Sequence, residues 1–129
     1  MWYEFITNKI MLDKLFEGEM LDLKDAELHS INIQNQDIKI SFITNTIPKK
    51  YPKKWDKEKV NALSINLRFS LVTYLESNAL SLKNISNPTI TTSKEKSTLE
   101  LKNKEFILKV ESKFLTLEGI TPYEDERWD

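Results

Sequence analysis

The chain has no cysteine, one histidine, two glycines and two arginines in 129 residues. Each shortage removes a class of chemistry. Without cysteine there is no disulfide, no thiolate metal site and no cysteine nucleophile. The lone His29 rules out a histidine-rich metal centre and any pair of histidine acid–base groups. With Gly18 and Gly119 as the only glycines, there is no glycine-rich phosphate loop and no Gly-x-Ser-x-Gly elbow for a nucleophilic serine. No apolar run approaches the ~20 residues of a membrane-spanning helix. The start, Met1-Trp2-Tyr3-Glu4-Phe5, lacks the basic and apolar regions of a secretory signal. A cytoplasmic protein with no membrane partner is the expectation.

What is present is ordinary in amount and uneven in placement. Hydrophobic residues make up 40% and charged residues 30%, the balance of a globular protein. The length suits one domain, 1–129, ending in an acidic tail over 123–129. Residues 1–30 carry seven acids against three lysines, whereas 48–59 carry six lysines against Asp56 and Glu58. From Glu124 to Asp129 four acids stand against Arg127. Such clusters either steer a charged partner or fold side by side and neutralise one another.

Periodicity sets the fold class. Met11, Leu12, Leu15 and Phe16 fall on one face of a short helix from about Asn8, with Asn8 as N-cap and Gly18 as terminator. From Glu27 the period becomes two: His29, Ile31 and Ile33, a turn at Asn35-Gln36-Asp37, then Ile38, Ile40 and Phe42. Leu63, Ile65, Leu67 and Phe69 alternate next, and the run continues through Leu71 to Leu75, by way of a bulge, towards a turn at Ser77-Asn78. A weaker strand is expected over 79–85. Thr89 to Thr92, Leu99 with Leu101, and Phe106 to Leu117 complete the series, with Gly119 and Pro122 marking its end. The sum is an α+β fold, a short N-terminal helix packed on a twisted or partly rolled, mostly antiparallel sheet of six to eight strands. A closed barrel or sandwich is the alternative.

Candidates for catalysis are few. His29 shares strand parity with Ile31 and Ile33 and reads as a partly buried structural residue. Asp22, Asp25 and Glu27 cluster before the first strand but lack the glycine and ligand spacing of a calcium loop. No catalytic, cofactor-binding or metal-binding residue is assigned, and no enzymatic activity is expected.

Binding has better candidates. Pro48-Lys49-Lys50-Tyr51-Pro52-Lys53-Lys54-Trp55 joins two strands, where a plain hairpin needs only two to five polar residues. Lys49, Lys50, Tyr51, Lys53, Lys54 and Trp55 are therefore read as partner-binding residues, although Tyr51 and Trp55 also suit a role as core anchors. Lysine with aromatic residues also suits nucleic acid, but a negative net charge and two arginines argue against it. Glu124, Asp125, Glu126 and Trp128 form a second candidate surface, with a frayed end or a tucked Trp128 as the plainer reading. A sheet edge near Ile90 is a candidate for homodimer pairing.

Three motifs in order carry a resemblance: Trp2-Tyr3, Pro52-Lys53-Lys54-Trp55, and the strand Ile65-Asn66-Leu67-Arg68-Phe69. Together they resemble the fiftieth numbered family of immunity proteins from bacterial polymorphic toxin systems. The resemblance implies a cytoplasmic inhibitor that binds a cognate toxin stoichiometrically and without catalysis or cofactor. A non-enzymatic adaptor, or a β domain with a small-ligand pocket beneath the helix, is the other reading.

Overall fold

A computed structural model describes residues 2–17 and 19–128, with only the backbone of Trp128. Gly18, expected to end the first helix, lies outside the described residues. In chain order the elements are helix α1 (Ile10–Leu15), strands β1 (Glu27–Gln34) and β2 (Asp37–Thr44), helix α2 (Lys54–Lys57), and strands β3 (Ala62–Ala79), β4 (Thr89–Thr92), β5 (Ser97–Asn103) and β6 (Phe106–Tyr123). A short 3-10 turn, Glu126–Trp128, follows. Among the described residues the strands form one six-stranded sheet in the order β1-β2-β3-β6-β5-β4, every neighbouring pair antiparallel. The α+β expectation holds and the sheet is not closed into a barrel.

The ribbon of β3 and β6, 18 residues each, is the spine. At ~3.3 Å per residue each strand runs about 60 Å, far beyond its neighbours. β2 covers only the first part of β3, from Leu63 to Phe69, and β5 covers only the first part of β6, from Phe106 to Ser112. Along β6 the buried positions are even-numbered through Phe106, Leu108, Val110 and Ser112, then odd-numbered at Leu115 and Leu117. That switch lets a bent sheet feed both its halves into one core, which joins Ile38, Ile40, Phe42, Phe69 and Leu117 to Leu99, Leu101 and Leu108.

Residues before β1 close this core. Leu12 of α1 and Phe16 just after it are buried, with Tyr3, Ile6, Leu21 and Leu23 around them. The space beneath the helix is thus filled by side chains. The Thr7 N–H donates to the Leu115 carbonyl and the Leu117 N–H donates to the Thr7 carbonyl, both at 2.9 Å. The N-terminal segment thereby pairs with β6 beyond the point where β5 ends.

Several local expectations are overturned. Asn8 is not an N-cap: its φ is 69°, and its side-chain amide donates to the Leu117 carbonyl while α1 starts at Ile10. Asparagine tolerates this left-handed conformation better than most residues. There is no turn at Ser77-Asn78, because both residues pair with β6 opposite Leu108 and Ile107. Cross-strand pairing outweighs their turn preference. The expected strand over 79–85 is instead a connection after Ala79, the last residue of β3; near its end the Leu28 N–H donates to the Ile85 carbonyl and Ser86 bridges to Glu27. Gly119 and Pro122 lie inside β6 rather than ending it, opposite Asn66 and Leu63. Proline is tolerated there because Pro122 is one residue from the end of β6, beyond the Phe106–Ser112 stretch that β5 pairs with.

His29 is exposed, not partly buried. It sits at a register shift between Leu28 and Ser30 on the edge strand β1, where Ile31 and Ile33 are exposed as well. Ile31 and Ile33 stand opposite the buried Ile40 and Ile38, as their parity requires, but the shift breaks the alternation at His29, and Leu28 opposite Phe42 packs on the core instead.

Candidate functional site

The connection between β2 and β3 is built around two buried residues, Pro48 and Trp55. Trp55 is 5% exposed and belongs to the core. It lies in α2, a four-residue helix that alternation alone does not reveal. The Trp55 N–H donates to the Pro52 carbonyl and the Val60 N–H donates to the Trp55 carbonyl, fixing the chain on either side of the indole. Tyr51 stacks on Trp55 with ring centroids 5.8 Å apart and planes 13° from parallel. Its hydroxyl donates to Asp56 Oδ1 at 2.7 Å, and that bond raises the phenol pKa. Lys49 is held through its backbone N–H, which donates to Glu19 Oε2 at 3.0 Å.

These anchors leave the lysines outside. Lys49, Lys50, Lys53, Lys54, Lys57 and Lys59 are all exposed. Among the described residues the ion pairs involve Lys39, Arg68, Lys96 and Arg127, and none of the six. The acidic first segment packs beside this connection without pairing its lysines. Between the two lies a groove of about 550 Å³, lined by Met11, Lys14 and Leu15 of the α1 segment, Lys50, Pro52 and Trp55 of the connection, and Ile120 of β6. Its walls are mainly apolar and its rim is cationic. Such a site accepts an apolar side chain flanked by acidic groups.

The tail is arranged differently. The Asp125 N–H donates to Asn61 Oδ1 at 2.6 Å, and the Asn61 side-chain amide donates to the Asp125 carbonyl at 2.8 Å. Arg127 grips the Asp125 carboxylate, Nη2 to Oδ2 at 2.7 Å, and reaches Glu27 Oε2 at 3.0 Å. The tail is therefore docked rather than frayed through Arg127. Glu124 and Glu126 face solvent, while Asp125 is occupied internally and its side chain is only 10% exposed. The side chain of Trp128 lies outside the described residues.

Hydrogen bonding from Arg127 holds the Asp125 carboxyl below its ordinary value of 3.8. A depressed acid contributes stability above its unfolded pKa and loses it as pH falls through the folded value. The clasp between Asp125 and Arg127 should therefore persist through mild acid and open only below the ordinary carboxylate range. In Arg127→Ala the Asp125 carboxyl should titrate closer to that range. Carboxyl and Asn61 amide chemical shifts followed through an acid titration will check this, and identical profiles in the two proteins would remove Arg127 from the account.

The sequence candidates thus separate into two places. Of the connection's candidates, Lys50 and Trp55 line the groove with Met11, Leu15 and Ile120, three residues that the motif alone does not flag, whereas Tyr51 lines a separate depression with Asn45, Ile47, Val60 and Asn61. Met11 and Leu15 belong to the helical periodicity, and their part-exposure is the signal that a helix face is left uncovered. Asp22, Asp25 and Glu27 make bonds within the fold, Asp22 accepting from the Lys24 N–H, Asp25 donating its N–H to Asn87, and Glu27 pairing with Arg127. Ile90, the expected dimer edge, is buried, and the edge of β4 is met at Thr92, which donates to the Trp2 carbonyl.

The family model described as Immunity protein 50 matches residues 8–123. The chain belongs to this immunity protein family. No curated protein and no solved structure matches it. The matched span includes α1, the lysine-rich connection and all six strands, and ends before Glu124. Trp2-Tyr3 lies outside it. Membership in the immunity protein 50 family suggests a toxin-neutralising role, with a toxin as partner. Such families are generally non-catalytic.

Proposed function

We propose that this immunity protein neutralises its cognate toxin by stoichiometric, non-catalytic binding through the lysine-rimmed groove. The observation that carries the reading is the groove itself: apolar walls with Lys14 and Lys50 at the rim, neither with an ion-pair partner among the described residues. Unpaired surface charge around an apolar depression supports fast, oriented association with an acidic surface. Rigidity supports the same role, because the connection is pinned at Pro48 and Trp55 and loses little freedom on binding. The docked tail, with Glu124 and Glu126 outward, is a secondary contact.

Co-expression tests the proposal. The toxin-domain reading frame beside this gene is expressed with and without this protein, and survivors are counted. Rescue together with an equimolar co-purified complex is the expected outcome. Killing despite folded, abundant immunity protein would reject that pairing and favour an adaptor role.

A further inference from the structure

β3 outruns β2. The last contact from the β1–β2 hairpin is the Val72 N–H donating to the Gln36 carbonyl at 2.9 Å, beside Leu71, whose φ is 55°. From there to Ala79, β3 pairs with β6 on one side, and among the described residues no strand lies on the other. This is a row of open backbone donors and acceptors. Natural edges are usually blunted with lysine, proline or inward-pointing charge. Here Phe69 to Leu82 contains one charged residue, Glu76, in a chain that is 30% charged. Tyr74 is 48% exposed and Leu75 is 40% exposed.

We propose that Thr73–Ser77, beyond the last hairpin contact, pairs antiparallel with the same segment of a second copy, joining two sheets across a two-fold axis at Leu75. Opposite residues in an antiparallel pair share parity, so the axis must fall on a residue. An axis on Glu76 would oppose two carboxylates, which is destabilising. An axis on Leu75 sets leucine against leucine and places each Tyr74 opposite the other copy's Glu76. Phenol and carboxylate already match within one chain, Tyr74 Oη donating to Glu76 Oε1 at 3.0 Å. No like charges meet along the pairing, and apolar surface is covered at its centre.

This edge is separate from the proposed toxin contact. The lysine-rich connection enters β3 at Ala62, and Thr73 lies about 35 Å further along at ~3.3 Å per residue. Dimerisation leaves both grooves open, so the pairing stands or falls independently of toxin binding.

Because the chain has no cysteine, a single introduced thiol reports unambiguously. Sedimentation of the full chain is followed over about a hundredfold range of concentration, where a dimer must dissociate by mass action. Leu75→Cys should cross-link to itself under oxidation. Glu76→Cys should not, because the register sets its two copies roughly 8 Å apart, beyond disulfide reach. Leu75→Lys should weaken the dimer about tenfold or more while its circular dichroism stays that of the parent. A monomer at every concentration overturns the proposal. So does a dimer that survives Leu75→Lys while the Leu75→Cys variant fails to cross-link. Protection of the 73–77 amides only on adding the neighbouring toxin domain would also overturn it and assign the edge to the toxin.

Discussion

Replacing Trp55 by alanine is expected to cost about 3–5 kcal/mol of folding stability, the usual range for deleting a large buried aromatic. That is a large share of the roughly 5–15 kcal/mol available to a protein domain. The cost is concentrated because the indole is 5% exposed and carries Tyr51 stacked on its outer face. Its removal opens a cavity under α2 and frees the lysines from a fixed arrangement. Denaturant unfolding will read the first effect, and a loss below about 1 kcal/mol would mean that the connection is anchored elsewhere. Toxin affinity should fall further than the folded fraction does, because groove wall and lysine positions are lost together.

Reversing the groove rim, Lys14→Glu with Lys50→Glu, should weaken toxin binding about a hundredfold at low salt, roughly tenfold for each reversed charge. Both side chains are exposed, and neither is ion-paired among the described residues. Thermal stability should consequently stay within about 0.5 kcal/mol of the parent, as for most surface substitutions. The defect should appear mainly in the association rate and should shrink as added salt shortens the screening length. Titration calorimetry and stopped-flow binding at two ionic strengths separate these effects. Unchanged affinity in a folded double variant would remove the groove from the interface while leaving family membership untouched.

Much of the architecture is legible from alternation. Ile38, Ile40 and Phe42 and the series from Leu63 to Phe69 are buried as their period requires, and the hairpin turn falls at Asn35 and Gln36. The departures share one cause, namely that local preference carries no information about the partner strand. Ser77, Asn78, Gly119 and Pro122 resemble punctuation, yet each is held in a strand by pairing across the β3–β6 ribbon. Ile33 shows the converse, a position opposite the buried Ile38 yet exposed on an edge strand with no further strand beside it among the described residues. At the site, the lysine and aromatic composition reveals an unusual connection. It offers Trp55 as a core anchor, which its burial bears out, but does not reveal that α1 supplies the opposite wall, because that depends on contacts between distant segments.

The bond between Asn8 and Leu117 spans 109 positions. Thr7 likewise completes its pairing only on β6. During synthesis Thr7 and Asn8 must therefore wait for β6 before this part of the core can close. Folding dominated by such distant closures is slow, on the order of milliseconds to seconds. A ribosome-bound or truncated chain lacking β6 has no seat for α1, and so cannot present the wall that Met11 and Leu15 supply. On the proposed reading, a toxin is neutralised only by copies in which β6 has been made and paired, so the timing of translation of β6 sets how early the groove can act.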